Sequence, residues 1–130
     1  MFKYNYFQLD NINSKQELNQ FISKKVETLY DIGAESVLTK IIERENLGSV
    51  EIGTNFDLPH IEYDGQEQGI ILVNYKINNY YATSLFIILN VVYLDKNLEE
   101  FLNRILNDAG LDKLRNCRNI NDLQRIVEGG

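Results

Sequence analysis

The segment G-I-I-L-V-N-Y-K-I-N-N-Y-Y-A-T-S-L-F-I-I-L-N-V-V-Y-L, residues 69–94, decides the fold. Residues 69–75 and 84–94 are rich in β-branched and aromatic side chains, and Ile77-Asn78-Asn79-Tyr80 between them is typical of a turn. Apolar runs as continuous as these occur in strands that are covered on both faces. The segment therefore predicts a hairpin of two buried strands.

Further elements are predicted on both sides of this hairpin. Residues 4–9 alternate polar and apolar side chains and predict a first strand, and Ser14-Lys15-Gln16-Glu17 is a capping box that opens a helix running to about residue 31. A second helix follows from about residue 34 until Gly48 interrupts it. After the hairpin, helical spacing of apolar residues predicts helices at 97–106 and 120–127.

The order of these elements predicts the fold class. Strands and helices that alternate in this way form an α/β fold, a three-layer sandwich with a mixed central β-sheet and helices on both faces. The chain has 130 residues, which is within the range of one ordinary domain, so we expect a single domain over residues 1–130.

Composition and charge exclude several classes of function. The net charge of −6 provides no basic surface for nucleic acid, and the longest apolar run, residues 85–92, is too short to span a bilayer. The first residues lack the layout of a signal peptide, so we expect a cytoplasmic protein without direct membrane insertion. Cys117 is the only cysteine and cannot form an internal disulfide. Two nearby arginines could lower its thiol pKa, although a structural thiol is the more ordinary interpretation.

The chemistry of the chain is concentrated around its only histidine, at the end of the segment I-E-R-E-N-L-G-S-V-E-I-G-T-N-F-D-L-P-H, residues 42–60. Pro59 fixes its own φ angle and restrains the residue before it, so the backbone that delivers His60 is stiff. A neutral imidazole has a ring nitrogen free to act as a nucleophile, and histidine forms covalent intermediates in group transfer. Arg44 offers a planar cation for phosphate oxygens, and Ser49 and Thr54 offer hydroxyl donors.

Each of these residues also has an ordinary structural interpretation. A lone histidine is most often a core or surface residue, Arg44 could cap a helix C-terminus, and Ser49 and Thr54 could satisfy turn backbone. Two acids that flank the histidine, Asp57 and Glu62, could orient its ring, but solvated acids are common and neither is counted among the candidate site residues. With one histidine and one cysteine, no three-histidine metal site or cysteine pair is possible, so we expect neither a metal nor a cofactor.

The residues around His60 resemble the signature of the mannitol- and fructose-type enzyme IIA domain of the bacterial sugar phosphotransferase system. In that family a helix ends in an E-R-E-like triplet, which is followed by a small-residue turn, an I-G or L-G step and an apolar-Pro-His ending. The matching residues here are Glu43-Arg44-Glu45, Leu47-Gly48-Ser49, Ile52-Gly53 and Leu58-Pro59-His60. The similarity extends to residues 14–17 and 120–127, and so covers most of the chain.

The resemblance implies a phosphotransferase function. The histidine protein HPr would phosphorylate His60, Arg44 would help to hold the phosphoryl group, and His60 would pass it to a cysteine of a sugar-specific enzyme IIB domain. Mannitol-type members carry a second active-site histidine at the start of a later helix, where this chain has Asn97, an uncharged hydrogen-bonding residue.

The chain also departs from the family pattern before its histidine. Asn55-Phe56-Asp57-Leu58 replaces the usual small apolar residues, and Val50 replaces the threonine of the turn. Two alternatives remain open beside a transport component: a regulatory module whose phosphorylation signals sugar supply, and a degenerate domain that only binds a partner.

Overall fold

The protein is described by a computed structural model that covers residues 2–48, 51–52 and 55–129. The strands in these residues are β1 (Lys3–Ile12), β2 (Phe56–Asp57), β3 (His60–Glu62), β4 (Gly69–Ile77) and β5 (Tyr80–Leu89). The helices are α1 (Lys15–Tyr30), α2 (Ala34–Asn46), α3 (Lys96–Ile105), α4 (Asp108–Arg115) and α5 (Ile120–Val127).

The strands form one mixed sheet, which confirms the predicted fold class. Strand β4 pairs parallel with β1 and antiparallel with β5, and the two short strands β2 and β3 both pair parallel with β5. Since β2 and β3 follow each other along the same side of β5, they form one interrupted edge strand. Within the described chain, this edge strand is paired on one side only, apart from an isolated antiparallel bridge between Asp57 and Glu51.

The predicted hairpin is present at the centre of this sheet. Strands β4 and β5 are paired from Gly69–Ile88 to Ile77–Tyr80, and most of their side chains are buried. Asn78 and Asn79 make the two-residue turn with φ angles of 50° and 67°. Asparagine tolerates this left-handed conformation better than most residues, and it gives the turn a twist that matches the flanking strands.

The second strand of the hairpin is shorter than its apolar sequence predicts. Strand β5 ends at Leu89 instead of continuing to residue 94, because the buried Asn90 side chain forms hydrogen bonds with the backbone that follows. Its Oδ1 accepts hydrogen bonds from the backbone N–H groups of Val92 and Tyr93 at 3.0 and 3.2 Å, and its Nδ2 donates to the Gly65 carbonyl at 3.0 Å. Residues 91–94 therefore form an exposed turn.

The helices cover both faces of the sheet and build two apolar cores. Helices α1 and α2 pack over one face, and their buried side chains meet those of the sheet at Leu18, Ile22, Val26, Val37, Ile41, Ile61, Ile71, Val73, Phe86 and Ile88. Helices α3, α4 and α5 cover the other face, with a core that includes Phe56, Ile70, Leu72, Leu85, Ile87, Leu98, Phe101, Leu114, Leu123 and Ile126. None of the helices in the described residues combines the length and apolarity needed to cross a membrane.

Helix α1 begins where the capping box predicts, with one difference in its bonding. The Ser14 side chain accepts a hydrogen bond from the Glu17 N–H at 3.3 Å, but the Glu17 carboxylate accepts from the Asn13 N–H rather than from Ser14. The helix ends at Tyr30, close to the predicted end at residue 31, and Asp31 follows it in the left-handed region at φ 55°. This start places Lys15 in the first turn of α1.

Helix α4 is absent from the sequence-based prediction, which places no helix between residues 106 and 120. Asn107 starts α4, because its Oδ1 accepts a hydrogen bond from the Gly110 N–H at 2.9 Å. A Cβ at Gly110 would lie 1.9 Å from the carbonyl oxygen of Ile105, so this glycine permits the close approach of two consecutive helices. An eight-residue helix that contains a glycine gives only a weak periodic signal.

Candidate phosphoryl-transfer site

His60 opens strand β3 on the free edge of the sheet. It pairs with Ile87 of β5, and a third of its side chain is exposed, at 33%. Ile61 packs into the core under α1 and α2, so the alternation of a strand turns His60 and Glu62 toward the opposite face. The Pro59 carbonyl oxygen accepts a hydrogen bond from the Ile87 N–H at 2.9 Å, which fixes the residue before the histidine. The ring is therefore held by a rigid backbone and remains open to solvent.

The side chain that contacts the ring is Glu62. His60 Nε2 lies 3.3 Å from Glu62 Oε2, and the glutamate side chain is about half exposed at 49%. Glu62 is therefore partly solvated and also in contact with the ring. A contact this exposed contributes less than about 1 kcal/mol, so Nε2 can exchange Glu62 for another partner at little cost.

Arg44 lies in the last turn of α2, the helix that packs against β3. Its neighbour Glu45, together with Gly48, lines a cleft of about 300 Å³ whose wall includes Asp57, three residues before His60. The half-buried Arg44 side chain makes no hydrogen bond or ion pair with any residue that the structure describes. The helix end and the histidine strand thus flank the same open edge of the sheet, and Arg44 retains its hydrogen-bonding capacity.

The other predicted site residues divide into two groups. Ser49 and Thr54 lie outside the described residues. Asn97 is the second residue of α3 and is exposed, while Asp95 caps the helix by accepting the Leu98 N–H at 3.0 Å. Helix α3 lies on the sheet face toward which His60 points, but the described structure records no hydrogen bond from the Asn97 side chain. A role for Asn97 therefore stays a prediction.

A polar network beneath the histidine strand was missed by sequence reasoning. The Asp57 carboxylate forms an ion pair with Lys15 Nζ and accepts a hydrogen bond from the Ser84 hydroxyl. The Tyr75 hydroxyl lies 3.3 Å from Ser84 Oγ and accepts from Lys15 Nζ at 3.5 Å. One sign of this network is visible in the sequence: Asp57 lies between two apolar residues, Phe56 and Leu58. The enzyme IIA family that the sequence resembles has small apolar residues at these positions.

The network has a definite charge state at neutral pH. Burial is the largest influence and opposes the charged form of Lys15, but Asp57 and Tyr75 together outweigh burial and raise the pKa of the lysine. Burial, with the same carboxylate, also raises the pKa of Tyr75, which therefore stays a neutral hydroxyl. The network accordingly contains a lysine cation and a neutral tyrosine around Asp57.

Other candidate chemistries receive no support from the described residues. Cys117 is buried, and burial raises the pKa of its thiol to about 11, so the arginines near it in sequence do not activate it. No group of three histidine, cysteine, aspartate or glutamate side chains in the described chain could hold a metal ion. A cleft of about 710 Å³ lies near the hairpin turn, lined by residues that include Gln8, Asn74 and Arg115, and His60 is not among them.

The chain matches a known family and several solved structures. Residues 1–129 match the family "Phosphoenolpyruvate-dependent sugar phosphotransferase system, EIIA 2". No curated protein matches the chain. Among solved structures, the nitrogen regulatory protein IIA-Ntr from Neisseria meningitidis has 16% sequence identity and a TM-score of 0.67, over 92% of this chain and 91% of that one.

Two further structural neighbours come from Escherichia coli. IIA mannitol has 14% identity and a TM-score of 0.66 over 95% of both chains. The complex of enzyme IIAMTL with phosphorylated enzyme IIBMTL has 14% identity and a TM-score of 0.63, over 97% of this chain and 95% of that one. Identities this low establish a shared fold, whereas the family is established by the match over residues 1–129. The chain belongs to the EIIA type 2 family of the phosphoenolpyruvate-dependent sugar phosphotransferase system.

Proposed function

We propose that this chain is a cytoplasmic phosphotransferase subunit that carries a phosphoryl group on His60. It accepts the group from HPr and passes it to a cysteine of an enzyme IIB domain in a mannitol- or fructose-type system. The observation that carries the proposal is the placement of His60. A histidine with one third of its side chain exposed opens an edge strand beside the helix that carries Arg44 in its last turn, in a chain of the EIIA type 2 family.

The proposed reaction has two displacement steps. In the first, a ring nitrogen of His60 donates its lone pair to phosphorus while the bond between phosphorus and the HPr histidine breaks. In the second, a cysteine thiolate of enzyme IIB attacks the same phosphorus, the phosphorus–nitrogen bond breaks and His60 recovers its neutral ring. No metal or organic cofactor enters either step.

The protein's contribution to these steps is to present the ring and to balance charge. The Arg44 guanidinium, which has no partner among the described residues, reaches around the open edge of the sheet to the phosphoryl oxygens. Ser49 and Thr54 donate hydroxyl hydrogen bonds to those oxygens, and Asn97 donates a neutral amide hydrogen bond. The Glu62 carboxylate turns away, because it would repel the incoming phosphoryl charge.

A regulatory role is the second candidate function. The fold neighbour from Neisseria meningitidis is a nitrogen regulatory protein, so the same architecture serves regulation in that case. A regulatory module would accept phosphate on His60 without relaying it to a IIB cysteine. A degenerate, partner-binding domain would not be phosphorylated at all.

Transfer onto a cysteine separates these functions. We expect that the chain, loaded by enzyme I, HPr and phosphoenolpyruvate and then purified, will lose its phosphoryl group to an added mannitol- or fructose-type IIB domain. Intact-mass measurement would show the mass of one phosphoryl group moving from this chain to IIB. A IIB variant with serine in place of its cysteine is the control. Label that stays on His60 with every IIB domain supplied would contradict relay and favour the regulatory module.

A further inference from the structure

Helix α1 contacts both halves of the proposed site through side chains one turn apart. Lys15 forms the ion pair with Asp57, which precedes His60 by three residues. Asn19 Nδ2 donates a 2.9 Å hydrogen bond to Oε1 of Glu45, the residue that follows Arg44. Residues four apart lie on the same face of a helix, so one face of α1 holds the histidine strand and the arginine helix together.

The acidic partner in the contact to the histidine strand is largely buried, whereas 40% of the Lys15 side chain is exposed. Only 15% of the Asp57 side chain is exposed, and Ser84 and Tyr75, which complete the network, are buried. A buried carboxylate that loses its cation or its hydrogen bonds is strongly destabilised. The network therefore fixes the position of Asp57 against α1 and β5 tightly.

The histidine strand needs such an attachment because it has few backbone bonds. Strand β2 has two residues, β3 has three, and the chain between them contains Pro59, which has no N–H group to donate. Phe56 packs into the core under α3 to α5, so Asp57 points to the α1 face, whereas His60 points away from it. Fixing Asp57 thus fixes the backbone behind the ring and leaves the ring accessible.

The contact to the arginine helix uses a buried donor and an exposed acceptor. Asn19 is 5% exposed, and its amide spans from α1 to the end of α2. Glu27 of α1 accepts a hydrogen bond from the Ala34 N–H at 2.9 Å, but that bond lies at the start of α2. The bond from Asn19 to Glu45 therefore ties the last turn of α2, which carries Arg44, to α1.

We propose that Lys15 and Asn19 on α1 set the spacing between His60 and Arg44, with Asp57 and Glu45 as the positioning residues that receive them. This inference rests on the proposed phosphoryl transfer. A phosphoryl group is held between a nucleophile and a cation only when their separation is correct, and a displacement of about 1 Å can cost about a hundredfold in rate. None of the four residues touches the reacting atoms.

The test is a double-mutant cycle on the rate of transfer from phosphorylated HPr. We expect Asp57→Asn and Glu45→Ala each to lower the maximal rate by about tenfold or more while the KM for HPr stays unchanged. In an Arg44→Lys background, each of these substitutions should lower the maximal rate by less than about threefold further. The reason is that the guanidinium whose position they control is already absent. Glu45 is exposed, so Glu45→Ala tests the proposal even if Asp57→Asn does not fold.

A matched control is available in the Lys3–Glu67 ion pair, which joins β1 to the loop after β3 and lies outside the network. Glu67→Gln should leave the transfer rate unchanged. The inference would be overturned if the rate losses of Asp57→Asn and Glu45→Ala were fully additive with that of Arg44→Lys. It would also be overturned if these two variants lost no more rate than Glu67→Gln. If the unmodified chain is not phosphorylated, the proposed function itself fails. If it is phosphorylated and the variants transfer normally, only the spacing role fails.

Discussion

At the scale of single residues, the proposed site divides its work between a nucleophile and a cation on different layers. His60 belongs to the sheet, and Arg44 belongs to a helix that packs on it. The motif around His60 predicts both residues as candidates, because the sequence shows a stiff Pro-His step and a helix with an arginine in its last turn. Asp57 could not be assigned in this way. The face on which it lies depends on where the edge strand breaks at Pro59.

The first prediction at this scale concerns the fork geometry of Arg44. We expect Arg44→Lys to slow transfer from HPr by about tenfold, because lysine keeps the charge but cannot bind two phosphoryl oxygens with a planar fork. The melting temperature should hardly change, since the Arg44 side chain has no partner in the described chain. Transfer kinetics and a thermal melt on the same sample measure both quantities.

Arg125 provides the control for this substitution. It is an exposed arginine on α5, paired with Asp122 at 3.4 Å and remote from the proposed site in the fold. Arg125→Lys should leave transfer unchanged. Equal losses of rate and stability in Arg44→Lys would mean that Arg44 supports only the fold.

At the scale of elements, the turn at residues 91–94 is the feature that apolar patterning interprets wrongly. Its composition is that of a strand, yet Val92 is 73% and Tyr93 is 77% exposed. Pattern alone cannot show that a buried Asn90 withdraws the following backbone from the sheet. Gln68 completes the attachment, because its Nε2 donates to the Tyr93 carbonyl at 2.7 Å. The result is a rigid apolar turn beyond Leu89, the residue that pairs with Glu62 beside His60.

We expect this turn to contact the IIB partner during transfer. Exposed aromatic residues on a rigid support contribute strongly to protein interfaces, so Tyr93→Ser should raise the KM for IIB by about tenfold. The maximal rate should stay unchanged, because Tyr93 is not among the residues proposed to hold the phosphoryl group. Transfer from the loaded chain to IIB, measured over a range of IIB concentrations, gives both constants.

Tyr81 is a closely matched control for this prediction. It is 78% exposed, but it lies at the beginning of β5, at the opposite end of the strand from the turn. Tyr81→Ser should leave both constants unchanged. A similar rise in KM for the two variants, or no rise for Tyr93→Ser, would exclude the turn from the interface.

At the scale of the whole molecule, the three layers explain why so much of the fold could be predicted. Strands β4 and β5 are apolar on both faces, so helices must cover both sides of the sheet, and the helical spacing in the sequence supplies them. Helix α4 was not predicted, because its glycine, Gly110, weakens the helical pattern in the sequence while it permits close packing of two helices in the structure. The arrangement of α1 beneath both halves of the site is a property of the assembled layers, and no local pattern contains it.

Phosphorylation of the chain's only histidine tests the central claim most directly. Incubation with enzyme I, HPr and phosphoenolpyruvate should add the mass of one phosphoryl group, and acid should remove it, as expected for phosphohistidine. His60→Ala should take up no label and should keep the melting curve of a folded protein, because the ring is partly exposed at an edge. Stable labelling of His60→Ala, or an unmodified chain that stays unlabelled under conditions that phosphorylate another EIIA domain, would contradict the account.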